Sequence, residues 1–483
     1  MIEIENNLAE TFVFRSYRCH KLDTNSNIDN RRINIKINKI RGMNMKTVRT
    51  KLNPIIFILA IICLLFPLCI SSCSKDAPKD QVSAFDWPQY LGPDRNAVSS
   101  EKGLMRSWPE EGPKVLWTVP LGEGFGGPAI SEGKVYVYDR VDDKVNILRC
   151  LDVMTGEEEW TFSNEAPGSV SYDGSRSVPT IDGNRIYICD LFGNFTCVDK
   201  NTHQAVWNKN IWTDFGETEF PRWAIAQSPL IYENMVIVAS QSKEAGIIAY
   251  DKENGDVIWK TPELPGDVGY VSPAIVKISG EDHLTMLTAA TQDGSTKGNV
   301  LGYNPKDGTL LWTYEGWQCG IPIPNVTEIG NDQLFVTGGY GAGSVLLQVE
   351  KNEDSFAVKE IMRQKDFLTH VHPAVLYKGH LYSQCTDVFV EEGFGCMDLE
   401  GNIKWKTGKE PRFGRGGYIL VDDMIISSDG EKMLYLIEPT PTEFKVLAKA
   451  ELLDTKQSWA PLALSDGKLV IRDQGQMKCV LLK

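Results

Sequence analysis

An eight-bladed β-propeller, all-β and built of four-stranded antiparallel blades, is what this sequence predicts, and three columns of repeated residues predict it. The first column is an Asp or Asn, a turn containing Gly, and a Trp eight residues on. It reads Asp152-VMTGEEE-Trp160, Asp251-KENGDVI-Trp259 and Asn304-PKDGTLL-Trp312. Asp199-KNTHQAV-Trp207 has His203 in the glycine slot, and Asp398-LEGNIK-Trp405 is one residue shorter. The second column is Pro128, Pro179, Pro229, Pro273, Pro324, Pro373 and Pro461, with Tyr418 in the remaining copy, at spacings of 43 to 51 residues. The third is Cys150, Cys197, Cys396 and Cys479, replaced elsewhere by Ala249, Gly302, Leu347 and Leu436. Repeats of four short strands at this period indicate a propeller, with a solenoid as the competing geometry.

Along the chain, residues 1–42 are polar and precede a secretory signal, so translation is expected to start at Met43 or Met45. In residues 43–72, Lys46, Arg49 and Lys51 lead into the apolar run Ile55–Ile70 and then Ser71-Ser72-Cys73. A charged region, an apolar region and small residues in that order read as a signal peptide. At 16 residues the run is short for a helix crossing about 30 Å of hydrocarbon, although an uncleaved anchor is the alternative. Residues 73–85 read as a tether and 86–114 as a leader to the propeller, which is expected over 115–483. Of the 50 basic and 64 acidic residues, 11 and 5 lie in residues 1–73, leaving a body of about −20. Such a body has no electrostatic footprint for nucleic acid.

Within each repeat the local chemistry is simple. Pro cannot donate to a ladder and belongs where a strand begins. The Asx side chain and a Gly at positive φ make a tight turn between strands, and His is tolerated in that conformation. The last copy ends at Leu482 with no fourth strand, so Val115-Leu116-Trp117 is expected to supply it and close the ring. Trp117, Trp160, Trp207, Trp259, Trp312 and Trp405 are thus the structural tryptophans of the outer strands. The cysteine column reads as buried small-residue packing against the next blade, without a disulfide framework.

The Asp-turn-Trp unit resembles the repeat of pyrroloquinoline-quinone (PQQ) enzymes and of the non-enzymatic propellers that share it, BamB-type lipoproteins among them. Trp87-Pro88-Gln89-Tyr90-Leu91-Gly92-Pro93, with Trp108-Pro109, is similar to the leader of bacterial PQQ-like repeat proteins. Ile70-Ser71-Ser72-Cys73 resembles a lipobox, which implies lipidation at Cys73, export, and anchoring in the cell envelope, with Ser74 favouring the outer membrane. The resemblance implies fold more strongly than function. Quinoprotein dehydrogenases carry adjacent cysteines and a Ca²⁺ site of Glu, Asn and Asp; here no two cysteines are adjacent and no CxxCH haem motif occurs. No cofactor, no metal site and no catalytic residue is therefore expected, and a PQQ- or metal-dependent oxidoreductase is the alternative reading.

Residues just before the inner strands should rim the central channel. In order they are Phe125, Arg176, Gln227, Tyr270, Gln318, His370 with His372, Arg415 and Trp459, joined by Arg222, Trp223 and Arg412 from nearby loops. Aromatic and Arg residues are the types enriched at binding hot spots. The expectation is a monomeric binding or scaffold propeller whose channel mouth holds an envelope protein or an anionic or carbohydrate ligand. The Gly122-x-Gly124-x-Gly126-Gly127 run reads as a flexible turn, since no βαβ unit surrounds it.

Overall fold

The computed structural model describes residues 85–483 apart from Gln292, residues 388–390 and Lys456. The signal, Cys73 and all of the tether but Phe85 lie outside the described residues. Among the described residues no helix is long and apolar enough to cross a membrane.

Eight four-stranded antiparallel blades form the propeller. Blade 1 runs from Ala129–Ser131 through Lys134–Val141 and Val145–Asp152 to Glu158–Glu165, and blades 2 to 7 repeat that meander. Blade 8 consists of Ala463–Ser465, Lys468–Arg472 and Gln476–Leu481, completed by Lys114–Pro120 from the start of the propeller. Cys479 sits opposite Trp117 in that closing pair. The prolines precede the inner strands by one to three residues, where a missing N–H costs no ladder bond.

The tryptophans explain the spacing of the repeat. Each faces the small column residue of its own blade: Trp160 opposite Cys150, Trp207 opposite Cys197, Trp259 opposite Ala249, Trp312 opposite Gly302, Trp405 opposite Cys396. Trp117, Trp160, Trp207, Trp259 and Trp405 also meet the turn of the following blade. A Cβ at Gly156 would lie 2.7 Å from Trp117, one at Gly255 2.8 Å from Trp207, and one at Gly308 2.6 Å from Trp259. His203, at φ 58°, stacks on Trp160 with centroids 4.5 Å apart. Trp117 Nε1 donates to Val153 O, Trp207 Nε1 to Lys252 O and Trp405 Nε1 to Thr440 O, all carbonyls of the next blade's turn.

This corrects the column's expected partner, which is the blade's own tryptophan. The fifth copy is corrected too. Leu346, not Leu347, lies at the column position, because it pairs with Met362 before the register shift. The hairpin there turns tightly between Asn352 and Ser355, so counting back from the usual Asp turn misplaces the column by one. Met362 takes the tryptophan's place against Gly401 of the next blade. The column cysteines are free and buried, and burial pushes the Cys150, Cys197 and Cys479 thiols up to about 12.

The glycine run is not a flexible turn. Gly122 N donates to Asp139 Oδ2, Gly124 N to Gln474 Oε1, and Phe125 and Gly126 both donate to Ser175 O, binding blades 8, 1 and 2 together.

The leader crosses the propeller axis. Trp87 exchanges two backbone bonds with Ile130, Pro88 O accepts from Ile181 N, and Arg95 donates to Ser228 O and Pro229 O. Val98–Ser99 then pairs in parallel with the inner strand of blade 7, and buried Glu101 accepts from Gly467 N in blade 8. The channel is thereby closed from one side, with the Tyr90 ring inside it.

Trp207→Ala is expected to cost about 3–5 kcal/mol, because truncation empties a slot between two blades. Gly302→Ala, which drives a Cβ into the Trp312 indole, is expected to cost about 1–3 kcal/mol. Urea unfolding midpoints at unchanged m-value check both.

Candidate functional site

Inner strands converge on the axis, so the segments feeding them ring one end of the channel. There they enclose a cup of about 240 Å³, lined by Phe125, Arg176, Trp223, Tyr270, His370, His372, Arg415 and Trp459 among the residues expected at the rim. Tyr90 reaches the same cup from the leader.

Four expected rim residues lie elsewhere. Gln227 is 2% exposed and structural: its Nε2 donates to Val271 O, and its Oε1 accepts from Ala239 N. Position before an inner strand does not fix side-chain direction, and a buried amide finds backbone partners first. Gln318 ties its own loop through Glu315 O and Gly298. Arg222 is exposed beside the Trp223 ring, and Arg412 pairs with Glu431 in an adjoining depression.

Tyr172 and Tyr340 belong to the cup and were not expected there. Both have left-handed backbones, at φ 59° and 58°, inside Gly-containing turns. An aromatic residue beside glycines, as in Gly338-Gly339-Tyr340-Gly341, is the sequence signal that marks Tyr340. Asp387 accepts the Tyr340 and Gly341 amides and holds that turn.

The walls are aromatic. Phe125, Tyr172 and Trp459 pack mutually with centroids 5.3 to 6.2 Å apart, and Trp223 meets Tyr270 edge-to-face at 6.0 Å. Arg415 Nε donates to His370 Nδ1 at 2.7 Å, and its guanidinium lies 4.8 Å from the Trp459 centroid. His372 Nε2 is 3.0 Å from Trp459 O. The histidine pair is thus built into the wall by hydrogen bonds. Burial, then the Arg415 charge, lowers His370 to about 4; burial lowers His372 to about 4, against the pull of the Trp459 carbonyl. Both rings are neutral at pH 7. Burial also lowers Arg176 to about 10 and raises Tyr90 to about 12.

Among the described residues the lining contains no Asp, Glu, Asn or Cys. A hard divalent cation takes oxygen ligands, chiefly carboxylates, and a calcium–quinone centre has no such donors here. The acidic group Glu123, Asp143 and Asp173 lies outside the cup lining.

The histidines set a pH dependence. Their folded pKa values lie below the unfolded value of about 6.5, so the unfolded chain binds more protons between pH 6.5 and 4. Their contribution to stability is present above pH 6.5 and is lost as pH falls toward 4. Asp429, raised to about 6 by burial, acts in the opposite sense in the same window. The difference between wild type and His370→Asn isolates the histidine: the variant's urea midpoint is expected to fall less between pH 7 and 4.5.

Comparison with known proteins agrees with this architecture. The family described as outer membrane protein assembly factor BamB matches residues 144–316, about a third of the chain. Outer membrane protein assembly factor BamB of Vibrio cholerae is 21% identical over 392 residues, covering 80% of this chain and 92% of that protein. Quinoprotein alcohol dehydrogenase PedH of Pseudomonas putida is 26% identical over 153 residues, covering 30% of this chain. The match spans only 24% of PedH's own length. Among solved structures, a europium-containing methanol dehydrogenase superposes with a TM-score of 0.61 at 12% identity, over 81% of this chain and 90% of that one. The chain is an eight-bladed propeller of PQQ-like repeats, similar in sequence both to BamB and to quinoprotein alcohol dehydrogenases.

Proposed function

We propose that this protein is a non-enzymatic scaffold of the bacterial cell envelope, lipid-anchored through Cys73 at the outer membrane, whose channel mouth holds a protein partner. The observation that carries this reading is the cup: seven aromatic rings and two arginines on an acidic body, with no carboxylate, cysteine or nucleophile–base pair among the described residues of its lining. Aromatic and Arg anchors at the centre of a concavity are what binding hot spots use. The likeness to an outer membrane protein assembly factor over most of both chains supports it. The likeness to dehydrogenases covers a minor part of those proteins, and the cup lacks donors for their metal.

Crosslinking in native envelopes tests the reading. Wild type is expected to capture a discrete envelope protein, and Arg176→Ala and Arg415→Ala each to reduce capture at least tenfold, about 1.4 kcal/mol. Capture unchanged in both variants rejects the mouth as the binding surface. Mixing the purified protein with PQQ and Ca²⁺ is expected to leave no stoichiometric quinone absorbance after gel filtration.

A further inference from the structure

The two arginines of the cup are not equivalent. Arg176 commits its donors to its own loop, Nη1 to Gly174 O and Nη2 to Ser171 O and Tyr172 O. It fixes the Tyr172 turn and supplies background charge. Arg415 uses Nε on His370, while its two Nη groups have no hydrogen bond or ion pair among the described residues. Among the described residues the cup lining offers no carboxylate to neutralise them, and Glu431, which shares the adjoining depression with Arg415, is paired with Arg412. A guanidinium with both terminal nitrogens available matches a carboxylate in a bidentate fork, a geometry a Lys cannot copy.

The surroundings define what carries that carboxylate. Phe125, Tyr172 and Trp459 make one wall, Trp223 and Tyr270 another from the blade 3 and blade 4 loops, and Tyr90 also lines the cup. Flat apolar groups pack well against such rings in offset or edge-on arrangements. At about 240 Å³ the space falls below the roughly 300–1,000 Å³ of drug-sized sites, so it suits a small group.

We infer that the cup binds a single aromatic carboxylate, its acid group on the Arg415 Nη atoms and its ring against the Phe125–Tyr172–Trp459 wall. The group is a free acid or the acidic end of a segment of the partner, and in the second case the inference rests on the scaffold reading above.

Titration of intrinsic tryptophan fluorescence with phenylacetate, against phenylacetamide, tests it on the purified protein. Phenylacetate is expected to bind saturably and the amide at least tenfold more weakly. Arg415→Gln is expected to bring acid and amide within twofold, while Lys378→Gln, an exposed lysine remote from the cup, keeps the discrimination. Circular dichroism and a thermal melt establish that each variant is folded. Should Arg415→Gln not fold, Phe125→Ala provides the second test, weakening acid and amide alike with their ratio kept. Equal binding of acid and amide, or saturable binding of neither, overturns the inference. Competition of phenylacetate with partner capture assigns the group to the partner. Phenylacetate binding without any captured partner assigns it to a free acid and removes the scaffold reading alone. Arg415-dependent capture without phenylacetate binding removes this inference alone.

Discussion

The contact between one blade's tryptophan and the next blade's turn is what the ring depends on. A four-stranded blade has one broad apolar face on each side and cannot bury both alone. At Trp117 and Trp207 the indole lies over the small residue opposite it and reaches across to the following turn, where glycine leaves room and a carbonyl accepts the Nε1 hydrogen. One side chain thereby serves apolar packing, hydrogen bonding and angular spacing together. A register shift follows the small residue in each of these blades and aims the strand ends accordingly. Where the pattern lapses, the neighbour changes with it. Trp312 faces a turn without glycine and bonds His283 of its own blade instead. Ala448 fills the slot of blade 7, whose neighbour is the closing blade with no such turn.

Much of this was legible in the sequence because repetition multiplies a weak local signal. A single Asp-x-x-x-Gly-x-x-x-Trp says little; five copies in phase with a proline column leave few architectures. The missing last strand made Trp117 readable as the closure. Errors arose where one copy changed its turn, as at Leu346, or where strand position was taken for side-chain direction, as at Gln227. Tyr90 was unreadable for a different reason. It enters the cup from a leader that precedes every repeat, and no periodicity reports on a segment that crosses the axis once.

The cup reverses the electrostatic character of the molecule. A strongly acidic chain surrounds a concavity whose charged groups are both guanidinium, and whose histidines are kept neutral by burial. Neutral His370 can accept from Arg415 Nε, which orients the guanidinium without cancelling its charge. Protonated His370 would have no lone pair at Nδ1 and would repel that cation. Arginine orientation and imidazole protonation are therefore one coupled arrangement.

The leader also gives the molecule a mechanical axis. A closed ring of blades distributes load around its circumference, yet the segment from Phe85 to Leu104 runs as a crossbar through contacts with blades 1, 2, 3, 7 and 8. Tension applied to the chain at Phe85 would meet the Asp86 carboxylate's bonds to Ser131 and Glu132 first, then the Trp87–Ile130 bonds and then Pro88 with Ile181, opening them one after another as a zip. The Tyr90 ring follows in that order, before the Arg95 carbonyl bonds are loaded. A pull on this end would thus reshape the floor of the cup while the blades remain closed.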